Sequence, residues 1–234
     1  MIAAHPHVHH LSASAAGVRA TVGTVELRPW SWYTRLAVVR DGQKVLDVRV
    51  EPYPRSTTNE PKAVTVRDLD GDGEPEILVD LWTGGAHCCA WTRIYRWSGS
   101  TYTSSAAFWG DLGYRLEDLG DGGLDLVSGD DRFAYAFSSF AGSGFPLRIW
   151  RYGAGRLVDV TGDHRALVAR DAAKWWRWGA LARRTRSESG GVLAAWAGDE
   201  WVLGKGRAAL AWLHRHRLYP KGLAPFLRRL GYLS

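Results

Sequence analysis

The chain has 234 residues, of which 46% are hydrophobic and thirteen are Trp, and it carries a formal net charge of +6. That composition places it among globular proteins able to bury a substantial core, as one large domain or one domain with an appendage. No apolar run approaches the roughly 18 residues that a membrane-spanning helix needs.

The N-terminus lacks a basic n-region and a continuous apolar stretch, so no signal peptide is visible. Residues 1–16 read as a flexible tail. His5, His7, His9 and His10 could bind a transition metal, but no Cys or carboxylate lies nearby to complete a site, and a mobile His-rich tail is the simpler reading.

A β-domain is expected over 17–162. Residues 36–40 and 45–50 flank Asp41-Gly42, a dipeptide suited to the positive φ angles of a tight hairpin turn. Leu46, Val48 and Val50 alternate with Asp47 and Arg49, which gives the second arm one buried and one wet face.

Residues 68–76 read Asp-Leu-Asp-Gly-Asp-Gly-Glu-Pro-Glu. Carboxylates fall at loop positions 1, 3, 5 and 9, and Gly73 takes the sharp-turn position 6. Hard oxygen ligands at that spacing suit Ca²⁺. Asp68, Asp70, Asp72 and Glu76 would coordinate by side chain and Glu74 by its main-chain oxygen. An EF-hand needs a bidentate Glu at position 12 and an exit helix. Here position 12 is Val79, inside an apolar run that reads as a buried strand, so the loop joins β-structure. The plainer alternative is a solvated acidic turn, because Asp and Gly gather in turns for conformational reasons. Four carboxylates this close repel one another unless a cation neutralises them, which favours the metal.

Val-Arg-Asp68 through Glu76-Ile-Leu-Val resembles the calcium loop of FG-GAP or VCBS-type repeats, known from integrin-like β-propellers and secreted bacterial proteins. The stretch from Asp68 to Cys89, with its Thr-Gly-Gly-Ala-His-Cys-Cys ending, is similar to a group of secreted actinobacterial proteins that carry such loops. The resemblance implies calcium and a secreted or cell-envelope location. It does not imply a task, since such repeats serve adhesion, scaffolding and enzymes alike.

Cys88 and Cys89 admit three readings: two small buried side chains, a vicinal disulfide in an exported chain, or a reactive pairing with His87. Neighbours in sequence seldom meet in attack geometry, so the third is the weakest.

Further along, Asp118-Leu-Gly-Asp121-Gly-Gly-Leu-Asp125 stands fifty residues after Asp68, and the hairpin at 148–152 stands 55 residues after its counterpart at 93–97. Two units follow, about 62–113 and 114–162, each built as loop, strand, strand, hairpin, with an earlier half-unit around Asp41. Two and a half units cannot close a propeller ring. The second loop lacks an equivalent of Asp70 and is expected to keep its turn but lose most of its affinity. Ser128-Gly-Asp130-Asp131-Arg132 could form an acid/base site. A turn in which Arg132 neutralises one Asp explains the same residues.

From about residue 163 the texture changes to Ala, Leu, Arg and Trp at spacings of three and four. Residues 1–162 carry 16 positive and 19 negative side chains; residues 163–234 carry 14 and 5. Helices are expected over 164–184, 192–203, 208–218 and 224–230. Lys174-Trp-Trp-Arg-Trp178, with Arg183, Arg184 and Arg186, reads first as a packed helix with snorkelling Arg, then as a contact for a membrane surface or an anionic cell-surface polymer. Nucleic acid is disfavoured, and nothing in the pattern sets an oligomeric state.

The sequence thus specifies a mainly β fold with a C-terminal α segment: repeated β-hairpin units, partly propeller-like or a β-sandwich, plus a basic helical appendage at 163–234. The expected function is calcium-dependent binding or structural support without catalysis, outside the cytoplasm. The alternative is a secreted hydrolase using His87, Asp130 and Asp131.

Overall fold

In the computed structural model of the protein the described residues are 10–28, 31–53, 59–85 and 88–233. His5, His7, His9 and His87 lie outside them. Among the described residues the chain forms three four-stranded sheets followed by four helices, a mainly β fold with a C-terminal α segment.

The first sheet is an antiparallel meander of β1 (Leu11–Ala15), β2 (Val18–Arg28), β3 (Ser31–Arg40) and β4 (Gln43–Arg49). The turn between β3 and β4 uses Asp41 at φ +50° and Gly42 at φ +81°, the left-handed pair that a two-residue hairpin demands. Two expectations need correction here. The half-unit around Asp41 is a whole sheet, and the flexible tail does not extend to residue 16. Leu11, Ala13 and Ala15 alternate half-buried with exposed Ser12 and Ser14, and this short period-2 pattern pairs β1 with β2.

The second sheet is the antiparallel meander β5 (Glu60–Arg67), β6 (Glu76–Gly85), β7 (Cys88–Trp97) and β8 (Tyr102–Gly110). In β6, Ile77, Leu78 and Val79 are all fully buried, so both faces are covered. That is why this strand reads as a continuous apolar run rather than an alternating one. A third sheet contains β9 (Arg115–Glu117), β10 (Asp125–Gly129), β11 (Leu147–Gly153) and β12 (Arg156–Asp159) in the order β12-β11-β10-β9. In both later sheets the acidic loop joins the first strand to the second.

Two compact units emerge. The first runs to Asp125 and takes in Arg151–Val158. Its core is shared by the first two sheets: Val18, Ala20, Val22, Leu36 and Val38 meet Val66, Ile77, Val79, Leu81 and Trp91, and β5 packs against β1 and β2. This is a sandwich-like arrangement.

The second unit comprises Leu126–Trp150 and Asp159–Ser234. Its helices are α1 (Arg165–Arg184), α2 (Gly190–Val202), α3 (Gly206–Arg215) and α4 (Leu223–Arg229). The expected boundary at 162/163 is therefore too simple. Phe133, Phe137 and Phe145 join Leu193, Ala197, Leu213, Leu227 and Tyr232 in one apolar cluster, so part of the presumed β-domain belongs with the helices. Trp176 lies 4.9 Å from Trp196 and 4.8 Å from Trp212, ring centre to ring centre. A Cβ on Gly179 would stand 2.8 Å from Leu193 Cδ2, and only glycine lets α1 and α2 approach this closely.

Candidate metal centre

The loop at 68–76 is shaped first by its own backbone. Asp68 accepts hydrogen bonds from the N–H groups of Gly71 and Gly73, each at 2.8 Å, and both glycines adopt positive φ (+76° and +87°). These bonds curl the loop until ligand oxygens of Asp68, Asp70 and Glu76 lie within 4.8 Å of one another.

Glu76, the first residue of β6, is fully buried. Its Oε2 accepts from the Leu69 N–H at 3.0 Å, whereas Oε1 has no hydrogen-bond partner. Asp70 Oδ1 is likewise buried and unpartnered. Burial, aided by the negative charges of Asp70 and Asp72, pushes the Glu76 carboxyl up to about 7. Burial and the Asp72 charge raise Asp70 as well. Two buried carboxylate oxygens with nothing to bind are costly, because unsatisfied polar atoms forfeit their hydration without compensation.

The other two expected ligands are held differently. Asp72 accepts from the Glu74 N–H at 2.8 Å and from Arg96 at 3.0 Å, so its side chain is outside the converging trio. The Glu74 side chain is gripped by Arg40 through two bonds of 2.5 and 2.6 Å. That bidentate pair removes the side chain from the loop centre, and Arg40 also stacks over Trp97 at 5.1 Å. Arg96 Nε stands 3.8 Å from Glu76 Oε1 and 4.0 Å from Asp70 Oδ2, beyond hydrogen-bond reach of either.

The second loop solves the same repulsion internally. Arg151 donates to Asp121 at 2.5 Å and to Asp125 at 3.1 and 3.3 Å. Asp118 Oδ1 caps the loop by accepting from the Gly120 N–H at 2.9 Å. Arg151 thus hydrogen-bonds the closing carboxylate Asp125 directly, whereas its counterpart Arg96 hydrogen-bonds Asp72 and stands 3.8 Å from the closing Glu76.

Arg96 and Arg151 were not singled out from sequence, although their signal is present. Arg93-Ile-Tyr-Arg96 and Arg148-Ile-Trp-Arg151 repeat at a spacing of 55, which places an Arg beside the acidic loop in both units. Arg40 and its pairing with Glu74 carried no such local sign.

The other candidate residues that fall among the described ones are held as follows. Cys88 and Cys89 are paired with each other, Cys89 buried and Cys88 exposed, so the reading as two buried apolar side chains fits Cys89 alone. Asp130 is buried and accepts from Arg132 at 2.6 and 2.5 Å, from Arg148 at 3.2 Å and from Tyr232 at 3.0 Å. Burial opposes its charge, but the two guanidinium groups prevail and hold it below the usual carboxylate range. Burial and the neighbouring Asp130 raise Asp131 instead. A carboxylate saturated in this way anchors Tyr232, near the C-terminus, while His87, the third residue of the hydrolase alternative, lies outside the described residues. The helical unit holds one further buried carboxyl. Asp199 accepts from the Leu147 N–H at 3.0 Å, and burial beside the Asp171 carboxyl pushes it up to about 9.

No family model matches the chain. A probable thylakoid lumen protein of Synechocystis is 38% identical over 101 residues, covering 41% of this chain and 30% of that protein. An uncharacterized protein of Sinorhizobium fredii is 33% identical over 136 residues, covering 56% of this chain and 21% of that protein. The chain spans less than a third of the length of the curated relatives it matches.

Proposed function

We propose that the chain is a calcium-stabilised binding or structural protein, without catalysis of its own, that works outside the cytoplasm in a secreted or cell-envelope setting. One observation carries the reading: Glu76 and Asp70 each leave a buried oxygen unpartnered in a loop where Asp68 converges on them. All the donors are hard oxygens, with no nitrogen or sulfur, which suits Ca²⁺ better than a transition metal. Asp68, Asp70 and Glu76 would hold the ion by side chain and Glu74 by its main-chain oxygen, while Asp72 completes the set by exchanging Arg96 for the ion. The ion would neutralise the loop between β5 and β6 and so brace the core of the first unit.

Three points support the compartment. The loop resembles FG-GAP and VCBS-type calcium loops. One relative is named a probable thylakoid lumen protein, and a lumen is reached by translocation. Extracellular calcium is also plentiful enough to fill a modest site.

Thermal unfolding in millimolar calcium and in chelator tests the reading. A ligand that binds only the native state adds RT ln(1 + L/Kd), with L its free concentration, about 0.4–1.4 kcal/mol at 1 mM calcium for a site in the range of extracellular modules. The melting temperature should fall on chelation and recover with calcium, and Asp70→Ala should abolish the difference. A melting curve indifferent to chelation, or an Asp70→Ala protein that still responds to calcium like its parent, would refute it.

A further inference from the structure

The outer face of α1 is a second feature, independent of the metal loop. Arg170, Arg177 and Arg184 are spaced seven residues apart, all exposed, and none makes an ion pair with a described acid. At 1.5 Å rise per residue they form a line of about 21 Å along one side of the helix. Leu181 is 48% exposed and Trp178 is 59% exposed, one helical turn apart beside that line. They border a cleft of about 370 Å³ together with Ala182, Thr185 and Glu188, whose carboxylate is engaged by the Ser139 N–H at 2.8 Å and hydroxyl at 2.6 Å. The exposed positions of α1 carry five Arg and no acid; the one carboxylate of the helix, Asp171, is half-buried and engaged by Lys174 and by the Trp175 N–H at 2.7 Å. Trp176, by contrast, is consumed by the core.

We infer that this face is a peripheral docking surface for an anionic lipid bilayer. Charge complementarity and shape both favour a plane. Three evenly spaced Arg on one line can meet a flat sheet of lipid phosphates simultaneously, while Trp178 and Leu181 enter the headgroup boundary, where an amphipathic ring and an aliphatic side chain are stabilised. Stacking on nucleic-acid bases would use Trp178 but gives Leu181 nothing to do, and the Ala173 and Ala180 side chains between the arginines offer no donors to base edges.

The test is co-sedimentation of the full chain, in calcium, with phosphatidylcholine vesicles that contain or lack phosphatidylglycerol. The chain should sediment only with the anionic vesicles, and added salt should weaken it. Each Arg near a surface contributes about fivefold, so Arg170→Gln/Arg177→Gln/Arg184→Gln should lose about a hundredfold, while the corresponding triple Lys variant binds like the parent. Trp178→Ser/Leu181→Ser should leave only a salt-labile attachment. Unchanged melting of each variant establishes that it folds. No attachment to anionic vesicles at low salt overturns the inference. So does attachment indifferent to both sets of substitutions, or tighter binding to single-stranded RNA that ignores Leu181.

Discussion

The backbone N–H of Leu124 donates to the carbonyl of Leu69 at 2.8 Å, so the second acidic loop is tied directly to the first, between two of its expected ligands. The contact is tight on both sides. A Cβ on Gly123 would collide with the Leu69 carbonyl, and one on Gly71 would collide with the carbonyl of Gly122. Gly123→Ala should therefore destabilise the protein by about 1–3 kcal/mol, the usual cost of overpacking, and weaken calcium binding with it. Gly153→Ala, where a Cβ meets nothing within 4 Å, should stay within about 0.5 kcal/mol of the parent. Denaturant titration of both variants, with and without calcium, checks the contrast.

Glu76→Gln separates charge from shape. Without calcium the amide removes a buried negative charge whose one hydrogen bond comes from the Leu69 N–H and whose nearest cation, Arg96, stands 3.8 Å away, so the variant should melt at or above the parent. With calcium the parent should rise and the variant should not. A Gln variant that is destabilised by several kcal/mol in chelator would mean that the Glu76 carboxylate is already satisfied without an ion.

In the helical unit Asp130 joins residues 102 apart by accepting from Tyr232 at 3.0 Å while Arg132 and Arg148 grip the same carboxylate. Asp130→Ala leaves the half-buried Arg148 with one fewer counter-charge and should cost about 3–5 kcal/mol, as for breaking a buried ion pair. Tyr232→Phe removes a single hydrogen bond and should cost about 1–3 kcal/mol. Chemical unfolding measures both; a larger loss from Tyr232→Phe than from Asp130→Ala would contradict this ranking.

The Asp199 carboxyl gives the helical unit a pH dependence of defined sign. Raised to about 9 by burial beside Asp171, it holds in the folded state a proton that the unfolded chain releases near its ordinary value. The folded state binds more protons between about pH 4 and pH 9, so this group's contribution to stability falls as pH rises through that window. Asp199→Asn keeps an acceptor for the Leu147 N–H and removes the titration. Its melting temperature should decline less than the parent's between about pH 6 and about pH 9, inside the window set by linkage.

Much of this architecture is written locally. Asp41-Gly42 sets a hairpin because its turn needs two positive φ angles, and the α-helical stretches follow the three–four spacing of Leu, Ala and Trp to within a few residues. Of the four side chains expected to converge, Asp68, Asp70 and Glu76 bring oxygens together, whereas Asp72 turns to Arg96, a partner 24 residues away that the loop spacing does not reveal. What was not legible lies in long-range pairing. Nothing near Glu74 announces that Arg40, 34 residues earlier, will claim its side chain. Nothing near residue 133 announces that three Phe will leave the β-structure to pack with helices. The strand at residues 11–15 was missed because Leu-Ser-Ala-Ser-Ala has too little apolar bulk to distinguish a half-buried edge from a tail.

Calcium titration of the full chain by calorimetry bears most directly on the central claim. Arg151 already satisfies Asp121 and Asp125 in the second loop, whereas Glu76 and Asp70 in the first keep unpartnered oxygens. The account predicts heat of binding with a stoichiometry of about one ion per chain and an affinity in the range of extracellular modules, about 10⁻⁴–10⁻³ M, lost in Asp70→Ala. No heat at millimolar calcium, or binding that survives Asp70→Ala, would contradict it.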